Sequence, residues 1–303
     1  SNFFNAAKEL DFSFNKQLNS SIENQVGHYN VNIFNGFRTS SSKVFLKPIK
    51  NNPNLKILSK TEVLKLNFEN NKISSLKIKY KNKIIMVKPK IGTILSSGSI
   101  MTPYLLLKSG IGNASELKQL NIPVNLHSPQ IGKNLQDHLG LDYLYKTFIP
   151  TLNSDLGTWP GRIKSVFNYL YNRKGPLSLS LNQGGGYINW KSLDPYPNIQ
   201  LYFNPLTYSV SFKNRRPLLK TDKFNGFVIG FNSCRPKSLG EVILKMEDNK
   251  YLPAIDPNYL SNEKDIHDLY SIFDPFGYIF EPERPEMLRM VYLDYLKFPI
   301  EVN

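Results

Sequence analysis

The sequence holds a single cysteine, Cys234, in 303 residues. One thiol cannot close an internal disulfide or build a zinc site alone, so neither a disulfide framework nor a thiolate metal centre holds this fold. Cys234 lies in a strand-like run and reads as a small buried hydrophobe. Histidine is also sparse. The four histidines stand at positions 28, 127, 138 and 267, with no pair at metal-ligand spacing. No apolar run approaches the roughly 20 residues of a membrane span, and no signal-peptide pattern opens the chain, which begins on Ser1 and reads as starting inside a domain. Acidic residues are the minority, 24 against 38 lysines and arginines, for a formal net charge of +14. Such an excess can steer a protein to nucleic acid or to an anionic membrane surface. The lysines are scattered through loops and edges, as at 43, 47, 50, 56 and 60, and no dense basic run occurs. The charge pattern therefore excludes nucleic acid as the expected partner.

What is present is the composition of a folded protein: 41% hydrophobic and 20% charged residues. The length suits one large domain or two. The most informative stretch runs from Ile94 to Leu139. It opens on a short apolar strand, Thr93-Ile94-Leu95, followed by the small residues Ser96-Ser97-Gly98-Ser99. Thr102-Pro103 fits a helix N-cap and first helical position. Tyr104 to Lys108 is an apolar helical turn that stops at Ser109-Gly110-Ile111-Gly112, where glycine can take positive φ. A strand, a small-residue turn and a helix N-terminus suit an anion or a flat cofactor. The simpler reading is an ordinary βα turn in an α/β protein.

The order of residues adds to this. Gly98-Ser-Ile-Met-Thr-Pro-Tyr-Leu-Leu-Leu-Lys-Ser-Gly-Ile-Gly112 resembles the second signature of the glucose–methanol–choline (GMC) flavoprotein oxidoreductases, G-A-I-x-S-P-x-L-L-x-x-S-G-I-G. Ile131-Gly-Lys-Asn-Leu-Gln-Asp-His138 resembles the family segment V-G-x-N-L-Q-D-H. The resemblance implies FAD as cofactor, with Ser97 and Gly98 against the flavin and Asn134 in the second cofactor-side segment. It also implies that Val63, nine residues after Asn54, contacts the adenine through its backbone; read without the resemblance, Val63 is a buried strand residue.

The rest of the chain is read in order. Phe3, Phe4, Ala7 and Leu10 have helical spacing, and Asn15 to Asn30 is polar loop. Asn35-Gly36 is a turn signal; Thr39 to Ser42 offers hydroxyls for a helix N-terminus, and Val44-Phe45-Leu46 is an apolar turn ended by Pro48. Asn54 to Leu66 alternates like a pair of short strands. Residues 67–90 form a β-meander about the Lys81-Asn82 turn. Glu116 to Leu120 reads as a short helix and Ile122 to Leu126 as extended. Arg162 to Asn172 has helical spacing at Ile163, Val166, Phe167 and Leu170. Asn182-Gln-Gly-Gly-Gly-Tyr-Ile188 lacks the Lys-Ser/Thr of a P-loop and starts a strand. Residues 198–203 and 227–244 supply further strands, and Lys264-Asp265 begins a helix. The segments Arg235-Pro-Lys-Ser-Leu-Gly-Glu-Val-Ile-Leu244 and Pro253 to Leu260 extend the GMC resemblance to about residue 268.

The resemblance implies an α/β (α+β) fold: a partial FAD-binding Rossmann-like domain over 1–139, an antiparallel-sheet substrate-binding domain with helices over 140–268, and a divergent tail over 269–303. It implies a small-molecule alcohol substrate, with oxidation of a CH–OH group as in alcohol, sugar or choline dehydrogenases and oxidases. No G-x-G-x-x-G follows a strand, and residues 269–303 contain no histidine, so no catalytic residue is assigned. His138 belongs to the N-L-Q-D-H segment rather than acting as base, and His267 reads as solvated. The expectation is a middle piece of an FAD-dependent enzyme that by itself does not hold FAD tightly. The alternative is a degenerate, non-catalytic homologue acting as a binding or interaction protein, and a third reading is an unrelated basic surface-binding protein. Many animal members of the family are secreted, which is the only pointer to compartment.

Overall fold

The structure is a computed structural model that describes residues 2–18, 24–190, 195–211 and 218–276. The chain opens with α1 (Asn2–Glu9), as the apolar spacing predicts. β1 (Ser13–Phe14) then pairs in parallel with β2 (Gln25–His28). The polar stretch 15–30 is therefore not all loop. Gln25 and Val26 are buried, and the Gln25 amide donates to the Leu18 carbonyl at 2.6 Å. The longer pairing of β2 is with residues 184–187, far outside any local window.

Two-residue turns organise the next segment. Asn35-Gly36 joins β3 (Ile33–Phe34) to β4 (Phe37–Arg38), and Ser42–Leu46 forms one π-helical turn. β6 (Lys72–Tyr80) and β7 (Lys83–Val87) are the predicted meander, and β5 (Thr61–Glu69) joins them as one strand where a pair of short strands was expected. Asn35-Gly36, Asn70-Asn71 and Lys81-Asn82 each hold two successive residues at positive φ, between 47° and 72°. That pair of φ values defines a type I′ turn, whose twist matches the strands it joins. Residues 55–59 form no strand, and neither do 91–95. Both were expected to be extended and paired. Among the described residues no strand lies beside them, and Ile94 is left 91% exposed; an apolar run without a hydrogen-bonding neighbour does not become a strand.

α2 (Gly98–Lys108) follows, then β8 (Ile111–Gly112), α3 (Ala114–Gln119), β9 (Leu126–His127) and β10 (Lys133–Leu135). β11 (Gly140–Lys146), α4 (Leu152–Leu156) and α5 (Trp159–Asn172) come next, then β12 (Gly184–Ile188) and β13 (Ile199–Asn204). β14 (Tyr208–Ser211) and β15 (Leu218–Thr221) form a hairpin. β16 (Gly226–Ser233), β17 (Gly240–Glu247), β18 (Lys250–Asp256) and α6 (Glu263–Phe276) complete the described chain. The last part of the tail, 277–303, lies outside the described residues.

The largest sheet has the order β1-β2-β12-β13-β16-β11. Its two faces differ because side chains alternate along a strand. One face carries Ile188, Ile199, Leu201 and Phe231, which pack with Leu269 of α6 into the main core. Trp190 caps this core and donates its indole N–H to the Ser271 carbonyl at 2.7 Å. A second core joins Leu107 of α2, Leu117 of α3, Ile122 and Leu244 of β17. Two tyrosines clamp it: Tyr104 donates to the Tyr251 carbonyl at 2.8 Å, and Tyr251 donates to the Leu120 carbonyl at 2.9 Å. α2 thus sits between β5 on one side and the β17–β18 hairpin on the other.

Candidate functional site

The site is built outward from the N-terminus of α2. The helix begins at Gly98, one turn earlier than Thr102-Pro103 suggested, and Pro103 lies inside it. Pro103 cannot donate to the carbonyl four residues back, so the helix lacks one rung there. The Thr102 hydroxyl serves a different end: it accepts the Ser97 N–H at 3.1 Å. That contact orders the turn ahead of the helix, and the first-turn N–H groups have no intrahelical acceptors. Gly98 has φ of +86° and nothing within 4 Å of where a side chain would start. The backbone surface is therefore open at the helix N-terminus, where anions and electron-rich groups are stabilised.

The C-terminal end of α2 fixes its position. Ser109 is completely buried, and its hydroxyl accepts the Leu66 N–H of β5 at 2.9 Å. Gly110 has φ of +85°, and a side chain there would stand 2.3 Å from the Pro123 carbonyl oxygen. The predicted Ser-Gly stop is thus both a helix end and a point of close backbone approach.

The segment 131–138 crosses β17. Gly132 has φ of +84°, and a side chain would meet the Val242 carbonyl oxygen at 2.1 Å. Lys133 bonds Glu241 closely and faces Glu116 at 3.7 Å; the hydrogen bond to Glu241 raises the Lys133 pKa above the usual lysine value. Lys133, Asn134, Glu241, Asp256 and Asn258 surround a polar cavity of about 310 Å³. Asn134 is exposed at φ of +59°, with its amide donating to Gln130 at 3.3 Å. At the end of the segment, Asp137 accepts from Tyr259 and from the His138 N–H. Asn232, buried on β16, places its amide nitrogen 3.0 Å from His138 Nδ1 and donates to the Ser233 carbonyl at 3.0 Å. An amide nitrogen offers only protons, so in this arrangement Nδ1 accepts and the His138 proton sits on Nε2.

The second face of the large sheet is polar. β13 places Gln200 beside Tyr187 of β12 and Asn232 of β16, and Tyr202 beside Gly230. Tyr202 donates to Gln200 Oε1 at 2.9 Å, while Gln200 Nε2 donates to Tyr187 and Tyr29 at 3.2 and 3.3 Å. Two glycines make room for this layer. A side chain on Gly185 would meet the Tyr29 ring at 2.6 Å, and one on Gly230 would meet Asp142 Oδ1 at 2.2 Å. Desolvation raises the Tyr202 and Tyr187 pKa values and lifts the Asp142 carboxyl above its usual range, although the Asp142 side chain keeps an open edge.

The expected cofactor-side residues fall on α2, on β5 packed against it, and on β10, one strand further out. Ser97 and Gly98 form the start of α2, Val63 lies on β5, and Asn134 lies on β10, which pairs with β17. Val63 is 38% exposed, so it is not a buried strand residue. It borders a bulge between Val63 and Lys65 that leaves Leu64 without a pair. The Thr93 hydroxyl, just ahead of this turn, is buried without a hydrogen-bond partner. An open glycine backbone, a helix N-terminus and an orphaned hydroxyl fit a flat, hydrogen-bonding cofactor. His267 is exposed on α6. Cys234 is half-buried directly after β16, and burial pushes its thiol up to about 11. Sequence reasoning missed the polar sheet face. Its signal was the alternation Gln200, Tyr202, Asn204, which is meaningful only once both neighbouring strands are known.

The architecture is mixed α/β, with an open helix N-terminus on α2 and a polar face on the separate six-stranded sheet. Residues 1–140 match the family model described as GMC oxidoreductase. The chain belongs to the GMC oxidoreductase family. It is 33% identical over 267 residues to an alcohol dehydrogenase [acceptor] of Pseudomonas putida, an alignment covering 87% of this chain and 47% of that protein. It is 29% identical to the mitochondrial choline dehydrogenase of Mus musculus, covering 88% of this chain and 44% of that one. The chain spans about half the length of the curated relatives it matches. Among solved structures, a formate oxidase superposes with a TM-score of 0.78 at 22% identity, over 91% of this chain and 52% of that one. A pyridoxine 4-oxidase from Mesorbium loti superposes at 0.72 and 23% identity, over 93% and 50%. At these identities the structural likeness establishes the fold. FAD is the cofactor of the family.

Proposed function

We propose that this chain supplies the flavin-side and substrate-side surfaces of an FAD-dependent oxidoreductase acting on the CH–OH group of a small alcohol. In this reading residues 1–139 form part of the FAD-binding domain and 140–268 the substrate domain. The observation that carries the reading is Gly98, at φ of +86° with open space beside it, at the N-terminus of a helix wedged between β5 and β17. FAD, when bound, supplies the acceptor for a hydride leaving the carbinol carbon. Ser97 and Gly98 present backbone to the flavin, Val63 presents backbone at an exposed edge to the adenine, and Asn134 holds the cofactor side of the 131–138 segment. Tyr187, Gln200 and Tyr202 form a neutral hydrogen-bonding floor that orients a hydroxyl. His138 presents an Nε2–H donor fixed by Asn232. The base that takes the alcohol proton is assigned to no residue of this chain. The P. putida relative, named as an alcohol dehydrogenase, and the M. musculus choline dehydrogenase support the substrate class.

The test begins with quenching of flavin fluorescence as FAD is titrated into the purified protein. Gly98→Asn keeps a residue that tolerates positive φ but fills the open space. The expected result is weakening of FAD binding by about tenfold or more, close to 1.4 kcal/mol, with an unchanged thermal unfolding curve. Equal affinity for the two proteins refutes the placement of the flavin. Turnover of small primary alcohols with an artificial electron acceptor then checks the reaction.

A further inference from the structure

One row across the six-stranded sheet is built almost without side chains. Antiparallel pairing sets Gly185 of β12 opposite Tyr202 of β13, Tyr202 opposite Gly230 of β16, and Gly230 opposite Asp142 of β11. Directly opposed residues share a face, so this row lies on the polar side of the sheet. The two glycines leave two slots, and each is filled from the next strand out. A side chain on Gly230 would stand 2.2 Å from Asp142 Oδ1, and one on Gly185 would stand 2.6 Å from the Tyr29 ring. Asp142 therefore leans inward over β16, and Tyr29, just past β2, leans inward over β12. They approach Tyr202 from opposite sides. The Tyr29 and Tyr202 ring centroids are 6.0 Å apart. Burial is the main cause of the raised Tyr202 pKa, and the Asp142 charge adds to it, so carboxylate and phenol lie within electrostatic reach.

The protons of this face are committed in one direction. Tyr29 donates to the Leu201 carbonyl at 2.6 Å, so its oxygen accepts from Gln200 Nε2. That fixes the Gln200 amide with Oε1 toward Tyr202, which gives it its one proton at 2.9 Å. The Tyr202 oxygen is left with lone pairs only. Tyr187 is the converse: its oxygen accepts from Gln200 at 3.2 Å, and its proton has no acceptor among the described residues. The Asp142 carboxylate has no hydrogen bond and no cation beside it among the described residues, and desolvation is the cause of its raised pKa. Two amide oxygens of the same face, Asn204 Oδ1 and Asn232 Oδ1, are buried without a donor. The face thus holds a surplus of acceptors and a formal negative charge, in a chain whose net charge is +14. A partly desolvated carboxylate without a partner is costly, and a ligand that brings a cation with N–H groups removes that cost.

We propose that Asp142 and Tyr202 form a subsite for a protonated amine, which makes the alcohol oriented on this face an amino alcohol. The ammonium donates to the Asp142 carboxylate and to the Tyr202 oxygen, and the hydroxyl end accepts from Tyr187. Gly230 determines specificity along with them, because a Cβ there takes the place of the carboxylate. The surplus of acceptors selects a cation with N–H groups over a trimethylammonium, which has none. The inference rests on the reading of the polar face as the substrate side, and it does not require bound FAD.

The full chain without FAD is titrated at pH 7 and low ionic strength with 2-aminoethanol, with its neutral analogue 1-propanol, and with choline. Dissociation constants are read by ligand-observed NMR. A charge-assisted hydrogen bond should make 2-aminoethanol bind about tenfold more tightly than 1-propanol. D142N keeps the shape without the charge, so it should keep the parent unfolding transition and lose that preference. Y202F should weaken 2-aminoethanol about threefold and leave 1-propanol unchanged. The net charge of +14 repels cations from the surface as a whole, so a preference that vanishes in D142N is local. The proposal is overturned by absence of 2-aminoethanol binding, by equal affinity for 1-propanol, or by a preference that D142N retains. Choline bound more tightly than 2-aminoethanol also overturns it, since the cation would then be held by the Tyr29 and Tyr202 rings and not by acceptors. A parallel FAD titration separates the two readings. FAD bound with no ammonium preference refutes the subsite alone, and the ammonium preference without FAD binding refutes the flavin placement alone.

Discussion

Replacing Ser109 by alanine probes the joint between α2 and the β-meander, and its cost follows from one hydrogen bond. β5 is the edge of the three-stranded sheet β5-β6-β7, so alternate N–H groups of β5 point away from β6. The Leu66 N–H is one of these. It is buried with Leu66 itself, which has no exposed surface, and its acceptor is the Ser109 hydroxyl at 2.9 Å. Ser109→Ala removes the acceptor and leaves no room for water at a fully enclosed position. A buried donor without a partner costs about 1–3 kcal/mol, and deleting one oxygen adds little cavity. We expect urea unfolding of S109A to show a midpoint lowered by an amount equal to about 2 kcal/mol at unchanged m-value. Ser115→Ala provides the control, because that hydroxyl bonds Asn113 at the exposed start of α3. FAD affinity should fall along with stability if the joint sets the spacing between Val63 and Gly98. A change below about 0.5 kcal/mol, within the range of an ordinary surface substitution, would refute the reasoning, since it would mean that the Leu66 amide finds another partner.

Three further outcomes are expected. Phe231→Ala, at a residue 1% exposed in the main core, should destabilise by about 3–5 kcal/mol in the same denaturant assay. Asp268→Ala removes the acceptor of Asn198, Ser233 and Lys264 at 3.0, 3.1 and 2.6 Å; with two of those donors buried, a loss of about 2–4 kcal/mol is expected by thermal unfolding. Burial raises the Cys234 thiol from 9.0 to about 11. At pH 8 its thiolate fraction is then about a hundredfold below that of the unfolded chain, so modification by a disulfide reagent should be at least that much slower in native than in denatured protein. The same shift favours the folded state below about pH 9, and that contribution is lost as pH rises toward 11. Cys234→Ser should flatten this part of the stability profile.

Local sequence signals read well wherever the deciding interaction is local. Asn35-Gly36 and Lys81-Asn82 are type I′ turns because their own residues accept positive φ. α3 and α5 were read from Glu116 and Arg162, but they begin earlier, because Asn113 and Thr158 cap the next turn. The signals misread α2. Thr102-Pro103 looks like a helix start, but Thr102 bonds back to Ser97, and the chain is already helical from Gly98. They also promised strands at 55–59 and 91–95 that have no partner among the described residues, and overlooked β2, whose longer pairing, with β12, lies about 160 residues away.

The candidate site divides along the same line. Ser97, Gly98 and Asn134 could be proposed because each lies in a contiguous run whose residue order resembles one family. The polar floor of Tyr187, Gln200 and Tyr202 was not, because its members stand on separate strands and share a face only through the register of β12, β13 and β16. Sequence alone therefore determined the turns and the family, and suggested a cofactor-side motif, all of which rest on neighbours within a few residues. Tertiary structure alone decided which strands formed, that Ser109 ties α2 to β5, that Asn232 sets the proton of His138, and that the apolar side chains of α5 lie exposed. Those outcomes depend on hydrogen-bond partners and burial contributed from far along the chain, and helical spacing marks an apolar face without saying what it faces.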